Sequence, residues 1–119
     1  MKKNILVIMR SAPYGTSSAR DAIDFILTAS AYDQEIRVLF IEDGIFQLLS
    51  QQKPTQDKQK RIASLISAFE MYDIEHVYFD RVSANERNLE EQQLLDCAKP
   101  ADQKDIAELI NLADTVLSF

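Results

Sequence analysis

Tryptophan is absent, cysteine and histidine occur once each, and only two glycines and three prolines punctuate the 119 residues. Each scarcity excludes something. A lone Cys97 cannot close an internal disulfide. Cys97 and His76 together fall short of the four ligands of a closed zinc site. No loop gathers the carboxylates, so no metal and no other cofactor is expected. Sparse glycine and proline exclude low-complexity tracts and long flexible linkers, and there is no internal repeat. Long apolar runs are missing as well. Ile5-Leu6-Val7-Ile8-Met9 follows Lys2 and Lys3 much as a signal core would, but Arg10 ends it, and a signal core needs about 7–15 apolar residues. Nothing nears the roughly 20 residues of a membrane span. A cytoplasmic protein with no membrane contact is expected. Positive charge is in short supply too: 13 Lys and Arg face 19 Asp and Glu, a net charge of −6. Direct nucleic-acid binding draws on clustered Lys and Arg. The nearest cluster, Lys53, Lys58, Lys60 and Arg61, reads as the solvated face of a helix.

What is present alternates. Asn4–Met9 is a branched apolar run suited to a strand covered on both faces. A loop over Arg10–Ser17 carries Pro13 and Gly15. Ser18 then caps a helix to about Tyr32, with Asp21 as its capping-box partner and Ala19, Ala22, Ile23, Ile26 and Leu27 on the apolar face. Glu35–Ile41 is the second strand, closed by Glu42-Asp43-Gly44. A short helical turn over Ile45–Leu49 and a polar connection through Pro54 follow. Asp57 is expected to cap a helix from about Lys58 to Met71. Glu75–Phe79 is the third strand, and residues 81–93 read as a loop with at most one helical turn. Leu94–Ala98 reads as a short fourth strand. Pro100 and Asp102 start the last helix, with Asp105 in the capping-box position and Ile106, Leu109, Ile110 and Ala113 on its face. Thr115–Phe119 is the fifth strand. Strands alternating with helices predict one α/β domain over residues 1–119, three layers α/β/α around a five-stranded parallel sheet. The expected core includes Ile5, Val7, Ile26, Val38, Phe40, Ile66, Val77, Phe79 and Ile110. In such sheets the functional crevice lies beyond the carboxyl ends of the strands, among Arg10–Ser17, Glu42–Leu49 and Asp80–Leu89.

Most chemistry fails against these loops. Arg-Ser-Ala-Pro-Tyr-Gly-Thr-Ser-Ser after the first strand is neither a dinucleotide fingerprint nor a phosphate loop. The amides of the following helix, with Thr16, Ser17 and Ser18, still leave a small-anion module open. A phospho-receiver reading would use Asp80 at the end of strand three. It lacks the acidic cluster after strand one and the lysine after the last strand. Cys97 is the one candidate nucleophile, with Lys99 nearby to lower its pKa, although a lone cysteine is most often buried.

Several separated segments together carry a resemblance. Ser11-Ala12-Pro13-Tyr14-Gly15-Thr16 resembles the S/T-A-P-x-G-T segment of the TusC/DsrF family. Phe40-Ile41-Glu42-Asp43-Gly44-Ile45-Phe46-Gln47-Leu48-Leu49 resembles that family's F-x-x-D-G-V/I-F-Q-L-L signature, followed by Gln52-Lys53-Pro54. Tyr72-Asp73-Ile74-Glu75 and the end from Ala113 to Phe119 also fit, in order and without large gaps. The resemblance implies a DsrE/DsrF/DsrH-like fold. It marks Ala12, Pro13, Gly15, Asp43 and Gly44 as family-motif loop residues. It further implies membership of a sulfur-relay complex with TusB-like and TusD-like paralogues, a dimer of heterotrimers serving 2-thiolation of the tRNA wobble uridine; the counterpart complex serves sulfur oxidation. In that family the relay cysteine sits on the TusD subunit, after the third strand. The matching position here is Asp80, and a carboxylate cannot carry a persulfide. The resemblance therefore implies a subunit that is not itself an enzyme, and it gives Cys97 no role. A cysteine-based sulfurtransferase acting through Cys97 and a small-anion module stay open as alternatives.

The residues also suggest where partners dock. Ile45, Phe46, Leu48 and Leu49 are more apolar surface than a short turn at a sheet end is expected to hide, and exposed apolar clusters mark interfaces. The four form the candidate interface, through which the isolated chain would form homo-oligomers.

Overall fold

A computed structural model of the chain describes residues 3–50 and 57–119, without the side chains of 57–60. Gln52-Lys53-Pro54 and the side chains of Asp57, Lys58 and Lys60 lie outside the described residues. Five strands form one parallel sheet in the order β4-β3-β2-β1-β5. They are β1 Asn4–Met9, β2 Glu35–Phe40, β3 His76–Asp80, β4 Lys99–Ala101 and β5 Thr115–Ser118. Four α-helices accompany them: α1 Ser18–Ser30, α2 Asp57–Ser67, α3 Arg81–Glu86 and α4 Gln103–Leu112. Short 3-10 turns occupy Glu42–Leu48, Phe69–Tyr72 and Glu91–Gln93.

The two sheet faces are clad unequally. On one, Val7, Val38, Phe40, Val77 and Phe79 meet Ile23 and Ile26 of α1, Ile62 and Ile66 of α2, and Phe69. On the other, Leu6 and Leu39 are covered by Leu109 and Ile106 of α4. Parallel sheets need both faces buried; here one ten-residue helix supplies the second cover.

The structure corrects several expectations. Ile110 is exposed, not core, because α4 turns Ile106 and Leu109 onto the sheet, with Ala113 just beyond its end. The fourth strand is Lys99–Ala101 rather than Leu94–Ala98. Leu94 instead forms an isolated antiparallel bridge with Leu49, and the Leu95 N–H donates to the Leu48 carbonyl. Residues 81–93 hold α3 as well as a 3-10 turn. The first helix has Ser17, not Ser18, at its N-cap position, with no side-chain cap bond there, and ends at Ser30; the Ser17 hydroxyl donates instead to the Asp21 carboxylate at 3.0 Å. The second long helix stops at Ser67, and a 3-10 turn carries the chain on to Tyr72. The capping box of α4 is as expected, with Asp102 and Asp105 each accepting from the other's N–H.

Candidate functional site

The loops after β1, β2 and β3 converge at the carboxyl edge of the sheet and bond to one another. Gly44 is the closest junction. A Cβ there would stand 1.9 Å from the Met9 carbonyl oxygen, so only glycine lets the Glu42–Leu48 turn lie against the end of β1. Its φ is not in the left-handed range; that strain falls on Glu42 instead, at φ 51°. Gln47, buried in the same turn, donates its side-chain amide to the Ser11 carbonyl at 2.7 Å. Its Oε1 is buried without a partner among the described residues. The Glu42 N–H donates to Ser83 Oγ at 2.9 Å, and the Ser83 hydroxyl donates to Asp80 Oδ2 at 2.6 Å. Arg87 donates to Asp43 Oδ1 at 3.1 Å and to the Ser83 carbonyl at 3.2 Å. Arg10 pairs with Glu42 at 3.4 Å, both well exposed, a contact worth about 0–1 kcal/mol.

Asp80 ends β3 and caps α3. Its carboxylate accepts from the Val82 and Ser83 N–H groups, both at 3.3 Å, as an N-cap residue does. The position offers hydrogen-bond acceptance and negative charge, not a nucleophile. Ser83 was not singled out from the sequence, although Asp80-Arg81-Val82-Ser83 has the spacing of a side-chain cap.

Of the family-motif loop residues, Pro13 and Gly44 are buried, Ala12 is half-buried, and Gly15 and Asp43 are exposed. Gly15 adopts φ 93° with open space around it. Beside it, Pro13, Thr16, Ser17, Arg20, Arg61 and Ile62 line a cavity of about 240 Å³. Arg20 is already engaged by Asp24 at 3.3 Å.

The four-residue apolar patch does not stand exposed. Ile45 and Leu48 are fully buried, and Leu49 packs half-buried against the same core. Close contact at Gly44 turns these side chains inward, under α2 and against Leu94. Only Phe46 and Leu49 keep partial exposure.

Cys97 lies elsewhere. It precedes β4, whose first residue pairs with Tyr78 and whose last pairs with Asp80, so the thiol sits toward the opposite, amino-terminal edge. It lines a shallow groove with Ser67, Leu94 and Asp96. Partial burial, with Glu70 and Asp96 nearby, pushes its pKa up, which keeps the thiol protonated and weakens it as a nucleophile. Among the described residues no three His, Cys, Asp or Glu gather as a metal site, and no helix is long and apolar enough to cross a membrane.

The DsrE/DsrF-like family model matches residues 3–119. The chain belongs to that family. Two relatives, both named Protein TusC homolog, agree. One from Vibrio parahaemolyticus is 37% identical over 112 residues, spanning 94% of this chain and 95% of the relative. One from Pseudomonas aeruginosa is 31% identical over the full length of both. The solved ychN protein from E. coli superposes over the full length of both chains with a TM-score of 0.78 at 20% identity, which establishes the family's fold alone. In this chain the D-G-I-F-Q-L-L segment is the turn that packs on the end of β1 at Gly44 and holds the loop after it through Gln47 and Ser11.

Proposed function

We propose that this chain is a non-catalytic subunit of a TusBCD-type sulfur-relay complex that serves 2-thiolation of the tRNA wobble uridine. The single observation that carries the reading is Asp80. The resemblance puts Asp80 at the position of the relay cysteine, and its carboxylate is committed to capping α3 and to Ser83. Sulfur transfer requires a thiolate that attacks the outer sulfur of a persulfide, forming a new S–S bond as the donor's S–S bond breaks and its thiolate leaves, and an aspartate cannot form that bond. Cys97 does not substitute for it, because its thiol is held protonated at the other edge. The relatives' name supports a sulfur-relay role; on this reading the chain sits beside TusB-like and TusD-like paralogues as a dimer of heterotrimers, in the cytoplasm, with residues 1–119 as one domain. Phe46, the one half-buried apolar residue of the Glu42–Leu48 turn, is the anchor proposed at a subunit contact.

The test is direct. The chain is co-expressed with its paralogues, recovered by pull-down, incubated with a persulfide-charged donor and weighed. A stable complex in which a partner subunit gains sulfur and this chain gains none is expected. Rapid stoichiometric gain of one sulfur on Cys97 would overturn the reading and establish the sulfurtransferase alternative.

A further inference from the structure

Tyr72-Asp73-Ile74-Glu75 takes no part in the network at the carboxyl edge. It lies at the opposite edge, and its pattern recurs at Tyr32-Asp33-Gln34-Glu35. Each copy leads into a strand, the first from α1 into β2 and the second from the Phe69–Tyr72 turn into β3. Because β2 and β3 are neighbours, the copies lie side by side, and residues of both line one cavity of about 120 Å³. In both, the aspartate takes a left-handed conformation, φ 59° at Asp33 and 61° at Asp73. Folding accounts for the aspartates, whose short polar side chains tolerate that region. It does not account for the tyrosines. Tyr32 is 72% exposed and Tyr72 50%, with Met71 beside them at 84%. Among the described residues neither phenol hydroxyl is hydrogen-bonded. Tyrosine and methionine are enriched at the centres of protein interfaces.

Charge says what covers them. Asp33, which has an interaction of its own, Glu35 and Asp73 line the shared cavity with Tyr72, Glu70 and Glu75 flank Met71–Ile74 in sequence, and Glu70 and Asp96 both lie near Cys97. Among the described residues the cations near this edge include Lys3, Arg37, which donates to Asn4 at 3.3 Å, His76, which faces Glu35 at 3.5 Å, and Lys99 at the start of β4. A second copy docking through the same face meets like charge, and a nucleic acid does so more strongly. We infer that the twin Tyr-Asp-x-Glu edge is a docking surface for a protein partner that presents arginine and lysine side chains. Guanidinium groups stack on tyrosine faces, and the carboxylate rim steers and orients the encounter. The inference rests on the reading of this chain as a complex subunit, and it makes a paralogous subunit the partner that brings the basic side chains.

The probe is the TusB-like and TusD-like pair, purified together and titrated with the full chain. Asn, like Asp, tolerates the left-handed turn, so Asp33→Asn with Asp73→Asn removes charge without removing the turn. That pair of substitutions, and separately Tyr32→Ala with Tyr72→Ala, are each expected to weaken binding about tenfold. The first also flattens its salt dependence, and both leave the melting temperature in place. A carbon-13 label on the Met71 methyl reads the same contact without a substitution, and its resonance is expected to shift when the pair is added. Wild-type binding that survives both double variants with an unmoved methyl overturns this inference and leaves the complex reading standing. Failure of the wild-type chain to bind overturns both.

Discussion

A Cβ on Gly44 would overlap the Met9 carbonyl, and neither backbone has room to yield without breaking the Gly44 N–H bond to Ile41. Gly44→Ala is therefore expected to destabilise the fold by about 3 kcal/mol. Gly15→Ala meets no atom and pays only for its left-handed conformation, about 1–2 kcal/mol. Urea titration of the two variants separates the mechanisms, and equal losses would refute the close-approach account. The sequence points to both glycines as loop residues. It could not show that one is needed for space and the other for conformation, because that difference depends on Met9, at the end of a strand far back in the sequence. Cys97 is a second residue whose environment only the fold reveals. Burial, Glu70 and Asp96 raise its pKa. The folded state thus holds the thiol proton more tightly than the unfolded chain does. That contribution to stability is fully present below the unfolded thiol pKa and is lost as pH rises through the folded one. Iodoacetamide should accordingly modify Cys97 more slowly than free cysteine at pH 8, with a rate that climbs only above the ordinary thiol range. A rate equal to or faster than free cysteine would contradict the assigned environment.

At the scale of single elements, α3 depends on one side chain. Six residues make a marginal helix, and Asp80 satisfies two of its free N–H groups. Asp80→Ala is expected to cost about 1 kcal/mol and to free the Ser83 hydroxyl that also serves Glu42. Asp80→Asn keeps the cap and costs a fraction of that. Chemical denaturation, with amide exchange at Val82 and Ser83, checks the order, and equal losses would remove Asp80 from the cap. This helix was hard to read because its apolar content is small: Ala84 is its one buried aliphatic residue. The reverse held at Leu94–Ala98. Its apolar residues suggested a strand, yet they are explained by packing beneath Leu48 and Leu49. The true edge strand, Lys99-Pro100-Ala101, carries a proline and one buried residue, since an edge needs a ladder on one side only. By contrast β1, β2 and β3 are strands whose centres are buried from both sides, and their continuous apolar runs are that burial written in sequence. The carboxyl-edge motif was legible as a motif, but its inward turn was not, because the number of apolar residues in a segment does not say which way they point.

For the molecule as a whole, Phe46 and Phe69 divide the labour. Phe69 is fully buried between sheet and helices, and Phe69→Ala is expected to cost about 3–5 kcal/mol. Phe46 keeps part of its surface, so Phe46→Ala should lower the melting point less and weaken assembly with the paralogous subunits more. Size exclusion of the mixed subunits and melting of the isolated chain make the comparison. A Phe46 variant that assembles normally but melts as early as the Phe69 variant would place Phe46 in the core and the contact elsewhere. The sheet order carries one more consequence. β1 lies between β2 and β5, and Asn4 and Asp114 are tied by two bonds, Asp114 N–H to the Asn4 carbonyl at 2.7 Å and Asn4 N–H to the Asp114 carboxylate at 2.8 Å. Of the five strands, the first in sequence thus receives one of its two neighbours last. Until residues 115–118 pair with it, β1 is a bare apolar edge, the kind of surface on which nascent chains stick to one another. Slow docking of β5 would prolong that exposure, and a chaperone would have its longest task on this protein in that interval.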